Sequence, residues 1–240
     1  MLSVIISTFD KPELCMVHVR ECMNSEYMPH EIIVVNDHGD LGTREMLKSL
    51  EIKTRIIYVW INEDIPWNYT GARNLGVWLS KGDILAMEDC DNIPSKKVYG
   101  EAVKTMAEYP EIGRWISNKR PTIHYDQLMK PLEQWEFYKR RPIHQDTQFL
   151  RRDIYLKVKG CDERFAGRYA WAHTDWKRRL IRAGIQTGQL QEHYFSVEGG
   201  ETTSLIRRRS GINYHLARER DGHTQSPIGI LNFTYTYEIL

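Results

Sequence analysis

The 240-residue chain carries 33 basic and 32 acidic side chains, a formal net charge of +1. That balance speaks against a general nucleic-acid-binding surface, and 41% hydrophobic residues with every aromatic type present speak against disorder. No apolar run approaches a membrane span and the start MLSVIISTFD lacks the pattern of a secretory leader, so a soluble cytoplasmic protein is expected.

Residues 2–8 form a short apolar run rich in β-branched side chains, the pattern of a strand buried on both faces. Lys11-Pro12-Glu13 then opens a helix, with proline near the first turn and an acid beside it. The four cysteines, Cys15, Cys22, Cys90 and Cys161, show no zinc-type pairing. Cys15 and Cys22 lie two helical turns apart, too far for a disulfide, which fits a reducing compartment.

Glu31-Ile32-Ile33-Val34-Val35 reads as a second buried strand, stopped by Asn36-Asp37-His38-Gly39-Asp40. A weaker helix is expected over 42–50, a third strand over 54–60, and a helix over 70–79 with Thr70 as its N-cap. Residues 84–87 make a fourth strand, which runs into Met87-Glu88-Asp89-Cys90-Asp91-Asn92. Crowded carboxylates repel unless water or a cation neutralises them, so this end is either a solvated turn or a metal site.

Strands alternating with helices imply a parallel sheet covered on both faces, with ligands beyond the carboxyl ends of the strands. Three strands end in polar residues, Ser7-Thr8-Phe9-Asp10, Asn36-Asp37-His38 and Glu88-Asp89-Cys90-Asp91, and these converge on one edge. The second half is less regular. Helices are expected over 95–109, 152–158 and 175–183, the last with Thr174 as N-cap and Gly184 at its end; strands are expected over 112–117 and 147–150. His193 is expected within a further strand. Without a repeat or a low-complexity linker, one domain over 1–240 is expected.

The succession SVIISTFDKPE, IIVVNDHGD, TGARNLG, GDILAMEDCDNIPS and KGCDERFAGRYAWAHTDWKRRLIRAGI resembles inverting family-2 glycosyltransferases of the GT-A fold. The resemblance implies a Rossmann-like, mostly parallel twisted sheet with helices on both faces and a small acceptor-side lobe. Residues 1–94 would hold a nucleotide-diphosphate sugar (UDP, GDP or dTDP), and 95–240 would serve the acceptor, a glycan or glycoconjugate, and the catalysis. The implied activity is hexosyl or deoxyhexosyl transfer to a hydroxyl, dependent on Mn2+ or Mg2+.

Carried onto this chain, the resemblance makes Ser7, Thr8 and Phe9 lining of the nucleoside pocket and Asp37 the partner of the nucleobase. Asn36 stands where the family carries a first acid. Arg73 would approach the nucleotide or its diphosphate, and Asp89 and Asp91 form the DxD at the metal: Asp91 the direct ligand, Asp89 assisting through the sugar, the ribose or a water. Hard carboxylate oxygens suit such an ion, which bridges the phosphates and stabilises the leaving charge. The general base is Asp175 in one register and falls at Ala172-His173 in the other, with Asp175 preferred and His173 the alternative. His193 is the candidate extra metal ligand, with His215 and His223 behind it, and Arg207-Arg208-Arg209 could close over the diphosphate or be a solvated face. The competing readings are a nucleotide-sugar-binding module without turnover, and a nucleotidyltransferase, for which STFDKPE lacks the Gly-rich loop.

Overall fold

The computed structural model describes residues 1–167, 171–199, 215 and 233–240. Four parallel strands form its centre: β1 (Leu2–Thr8), β2 (Glu31–Asn36), β3 (Arg55–Ile61) and β4 (Ile84–Asp89). Helices α1 (Pro12–Met23), α2 (Gly42–Lys48) and α3 (Tyr69–Leu79) connect them. Side chains of β1 alternate between two cores, as the two-residue strand period requires. Val4 and Ile6 pack with Val17 of α1, whereas Ile5 packs with Leu75 of α3. Both faces of the sheet are therefore covered, which explains the uninterrupted apolar runs of β1 and β2.

After the short β5 (Asn92–Pro94) come α4 (Val98–Glu108), β6 (Arg114–Ile116), β7 (Arg120–His124) and β8 (Lys139–Arg141). They are followed by β9 (Gln148–Arg151), α5 (Arg152–Lys157), α6 (Ala172–Arg182), β10 (Thr187–Gln189), β11 (Tyr194–Glu198) and β12 (Tyr235–Ile239). The large sheet runs β10-β6-β9-β4-β1-β2-β3-β12, and a smaller one runs β5-β11-β7-β8. In the large sheet β9 is antiparallel to β4, and β12 closes the far edge antiparallel to β3. Among the described residues no helix is long and apolar enough to cross a membrane, and all four cysteines are free and buried.

Two caps differ from the sequence expectation. Asn68 precedes α3, and Thr70 lies inside the helix, where Ala72 N–H already reaches the Asn68 carbonyl at 2.9 Å. Helix α6 begins a turn earlier than expected, at Ala172, after Trp171 in the left-handed region (φ 74°). Asp175 N–H bonds the Trp171 carbonyl at 2.9 Å, so Thr174 is a helical residue and not a cap. Gly184 does end the helix, at φ +73°, where a Cβ would be strained.

Candidate active site at the carboxyl edge of the sheet

The parallel registers bring the polar strand ends together. Ser7 pairs with Val35 on one side and Asp89 on the other, and Thr8 pairs with Asn36. Asp37 N–H continues the row to the Thr8 carbonyl at 2.9 Å, and Phe9 beyond it is 40% exposed. Asn36 holds the turn itself: its amide donates to the Asp40 carbonyl and Tyr58 hydroxyl, and its oxygen accepts from Gly39 N–H. An amide, which both donates and accepts, explains why the first acid can be absent here.

Asp37 is buried, and its Oδ2 accepts from Asn68 N–H at 2.8 Å. Its Oδ1 has no partner among the described residues, and neither have Thr8 Oγ1, Asn68 Nδ2, Thr70 Oγ1 and Arg73 Nε. Buried polar atoms are normally paired, so this orphaned group at a ligand edge marks groups that a bound molecule would satisfy. Burial pushes the Asp37 carboxyl up to about 7.

At the end of β4, Arg73 donates from Nη2 to Asp89 Oδ1 at 2.7 Å and to the Asp146 carbonyl at 3.0 Å. Tyr69 packs over the guanidinium, 5.2 Å from ring centre to Cζ. Burial opposes ionisation of Asp89, but Arg73, His144 and Arg120 together hold its carboxyl below the ordinary range. Asp91 is open to solvent at its side chain and accepts from Asn92 Nδ2 at 2.7 Å. Crowding protein atoms and the Asp89 charge hold its carboxyl above the ordinary range.

Asp89, His144 and Asp146 each offer one ligand atom, all within 4.8 Å of one another. Two carboxylates and an imidazole at that spacing fit a divalent cation. Sequence reasoning missed His144 and Asp146, because nothing periodic marks the segment before β9. The signal is in the register: Met87 pairs with Gln148, so continuing it by two antiparallel steps would set Glu88 against Thr147 and then Asp89 against Asp146.

Behind the acids lies a closed network. Glu88 Oε1 accepts from the Tyr194 hydroxyl at 2.6 Å, and Oε2 meets His18 Nε2 at 2.5 Å and the Tyr99 hydroxyl at 3.1 Å. His18 Nδ1 donates to the Cys90 carbonyl at 3.1 Å, since a carbonyl only accepts. The backbone between the two acids is thus pinned to α1, and Cys90 is a small buried residue between them.

The two candidate bases, Asp175 and His173, sit differently on α6. Asp175 is 2% exposed and its Oδ2 accepts from Arg179 Nε at 2.8 Å. Arg179 also donates to the Val158 and Gly160 carbonyls, so this ion pair locks α6 onto the loop after α5. A carboxylate held this way is not presented to an acceptor. His173, two residues earlier, is exposed on the first turn of α6. That turn stands near the acids, because Ala172 and Trp171 pack with Tyr69, the residue that covers Arg73.

His193 does not join the acids. It precedes β11 opposite Ser95, four ladder positions from Val197, whose N–H bonds the Asp91 carbonyl. Four steps along a strand are about 13 Å. His193 instead packs edge-on to Phe195 and lines a cavity of about 430 Å3 with Phe137, Tyr138 and Arg140. His215 is exposed, and His223 and Arg207-Arg208-Arg209 lie outside the described residues.

This sheet order, with its ligand edge and the antiparallel β9, is the GT-A architecture. The fold matches S. aureus TarS 1–349 in complex with UDP-GlcNAc (TM-score 0.71, 12% identity, 90% of this chain and 64% of that one). It also matches the mannosyltransferase PcManGT from Pyrobaculum calidifontis in complex with GDP-Man and Mn2+ (TM-score 0.61, 16% identity, 92% and 61%). Residues 3–161 match the family described as glycosyl transferase family 2, and the chain belongs to that family. It is 30% identical over 95 residues to the hyaluronan synthase of Pasteurella multocida, covering 39% of this chain and 10% of that protein. The chain thus spans less than two thirds of each of these relatives.

Proposed function

We propose that this chain is a metal-dependent glycosyltransferase, moving a hexosyl or deoxyhexosyl unit from a nucleotide-diphosphate donor to a hydroxyl of a glycan or glycoconjugate, with inversion. The observation that carries the reading is the unpaired Oδ1 of buried Asp37, in one strand-end row with the Arg73–Asp89 pair. An imino N–H of uracil, thymine or guanine is the donor that such an oxygen lacks, so UDP, dTDP and GDP all fit. Ser7, Thr8 and Phe9 border the nucleoside, and Arg73 faces the diphosphate.

A divalent cation, Mn2+ or Mg2+, held at the acids after β4 would neutralise the departing diphosphate. Asp89 and Asp91 present the carboxylates, with Arg120 buried beside them as a counter-charge. The acceptor proton goes to His173, which stands free of the core on the first turn of α6, while Asp175 holds that turn in place. The small sheet, with the exposed rings of Phe137 and Tyr138, forms the acceptor side within the same domain.

Hydrolysis or transfer of a panel of nucleotide sugars with Mn2+ or Mg2+, in wild type and Asp37→Ala, tests the reading. Turnover that needs the cation and falls at least tenfold in affinity for the variant is expected. A second reading, a donor-binding module without turnover, is favoured by the burial of Asp175 in its ion pair. Donor binding with no turnover on any glycan acceptor would select it.

A further inference from the structure

The sequence motif points to Asp91 as the cation ligand, but the side chains gather differently. Asp89 leaves Oδ2 facing His144 Nδ1 at 3.4 Å, because its Oδ1 is taken by Arg73. That gap exceeds an ordinary N–H···O hydrogen bond. It is close to the roughly 3 Å between adjacent ligands on an octahedral ion with ~2.1 Å bonds. Asp146 completes a three-residue set whose ligand atoms all lie within 4.8 Å.

The set is built and not accidental. The loop carrying His144 and Asp146 is held by two buried arginines: Arg73 donates to the Asp146 carbonyl, and Arg114 to the Gln145 carbonyl and the Gln148 side chain. These cations, 1% and 2% exposed, fix the backbone and leave the Asp146 carboxylate uncommitted in either contact. His144 Nδ1 also meets the Thr147 hydroxyl at 3.2 Å, a contact that a bound cation would replace. Arg73 Nε, buried and without a partner, lies in the same cluster.

Resting on the donor reading above, we infer that His144 and Asp146 join Asp89 as the ligands of the divalent cation, and that the imidazole makes the site prefer Mn2+ to Mg2+. Mg2+ favours an all-oxygen shell, whereas an imidazole nitrogen suits first-row transition ions.

Loss of the free-ion Mn2+ electron paramagnetic resonance signal, titrated on the whole chain with and without UDP, reads occupancy without any turnover. Competition with Mg2+ in the same titration gives the preference. His144→Ala and Asp146→Asn should each weaken Mn2+ by tenfold or more, and His144→Asp should narrow the Mn2+ over Mg2+ ratio by a similar factor. Unchanged Mn2+ affinity in His144→Ala and Asp146→Asn overturns the assignment, as does an unchanged ion ratio in His144→Asp. A wild type that binds no Mn2+ in either arm overturns it too. Thermal unfolding with EDTA identifies a variant that fails to fold, and His144→Gln then replaces His144→Ala under the same criterion. Mn2+ binding that depends on His144 in a protein that turns over no nucleotide sugar would sink the transferase reading and leave this site standing.

Discussion

Arg179 Nε lies 2.8 Å from Asp175 Oδ2, one turn apart on α6, and both side chains are buried. The pair ties the helix that carries His173 to the carbonyls of Val158 and Gly160. Removing one partner of a buried pair strands the other charge, at a cost of about 3–5 kcal/mol. Asp175→Asn should therefore lower stability by that order in urea unfolding. The turnover of the molecules that remain folded should change little. A stable Asp175→Asn protein without transfer would return the base to Asp175.

His173→Ala should behave in the opposite way. Its side chain is exposed, so unfolding should move by about 0.5 kcal/mol or less. If it accepts the acceptor proton, kcat for transfer should fall about 10²–10⁴-fold. Donor affinity, measured by calorimetry, should stay within threefold. Full transfer by this variant would remove His173 from the mechanism.

Asp37 predicts a pH signature. Burial raises its carboxyl to about 7 in the folded protein, against about 3.9 for an unperturbed aspartate. Only the carboxylate accepts well from an imino N–H, so donor affinity should be full above pH 7 and drop up to tenfold per unit below it. Stability runs the other way. The native state binds the extra proton between pH 4 and 7, so this group's contribution declines as pH rises through that window. Calorimetry from pH 5.5 to 8 checks the first trend, and Asp37→Asn should flatten it. Affinity that rises on acidification would contradict the nucleobase contact.

The His18–Glu88 pair predicts a second one. Burial opposes charge on His18, but the Cys22 sulfur and the Glu88 carboxylate beside it hold the imidazole well above its usual 6.5. A raised value means that the stabilisation is complete below pH 6.5 and is lost as pH climbs through the folded value. Unfolding midpoints between pH 6 and 9.5 should fall more steeply in wild type than in His18→Gln. Equal slopes would show that His18 is neutral in the native state. His18→Gln should also loosen Mn2+ or donor binding, because His18 anchors the Cys90 carbonyl.

The parallel half was legible because burial on both faces writes itself into composition: the runs VIIST and IIVVN have no other use. The convergence of Asp37 and Asp89 followed from strand ends alone. The base was not legible, because an aspartate followed four residues later by an arginine reads equally as helix-start acid, ion pair or catalyst. Only burial separates them, and burial of Asp175 depends on how the loop after α5 packs against α6. His144 and Asp146 were invisible for a related reason. Their place depends on the pairing of β9 with β4, an antiparallel registration between segments some sixty residues apart. For His193 too the register decides the distance: β11 reaches Asp91 at Val197.

The reversal of β9 has a practical consequence. A strand parallel to β4 would arrive at the acids with its last residues and have to continue into the following helix. Running antiparallel, β9 meets them with its first residues, so the HQD stretch enters as the tail of a connection whose length the sheet does not dictate. If the inferred cation site holds, changes in residues 144–146 should alter ion preference with the pairing of Met87 to Gln148 left as it is. For anyone retuning this scaffold, that short entry segment is the dial, and the strands are the housing.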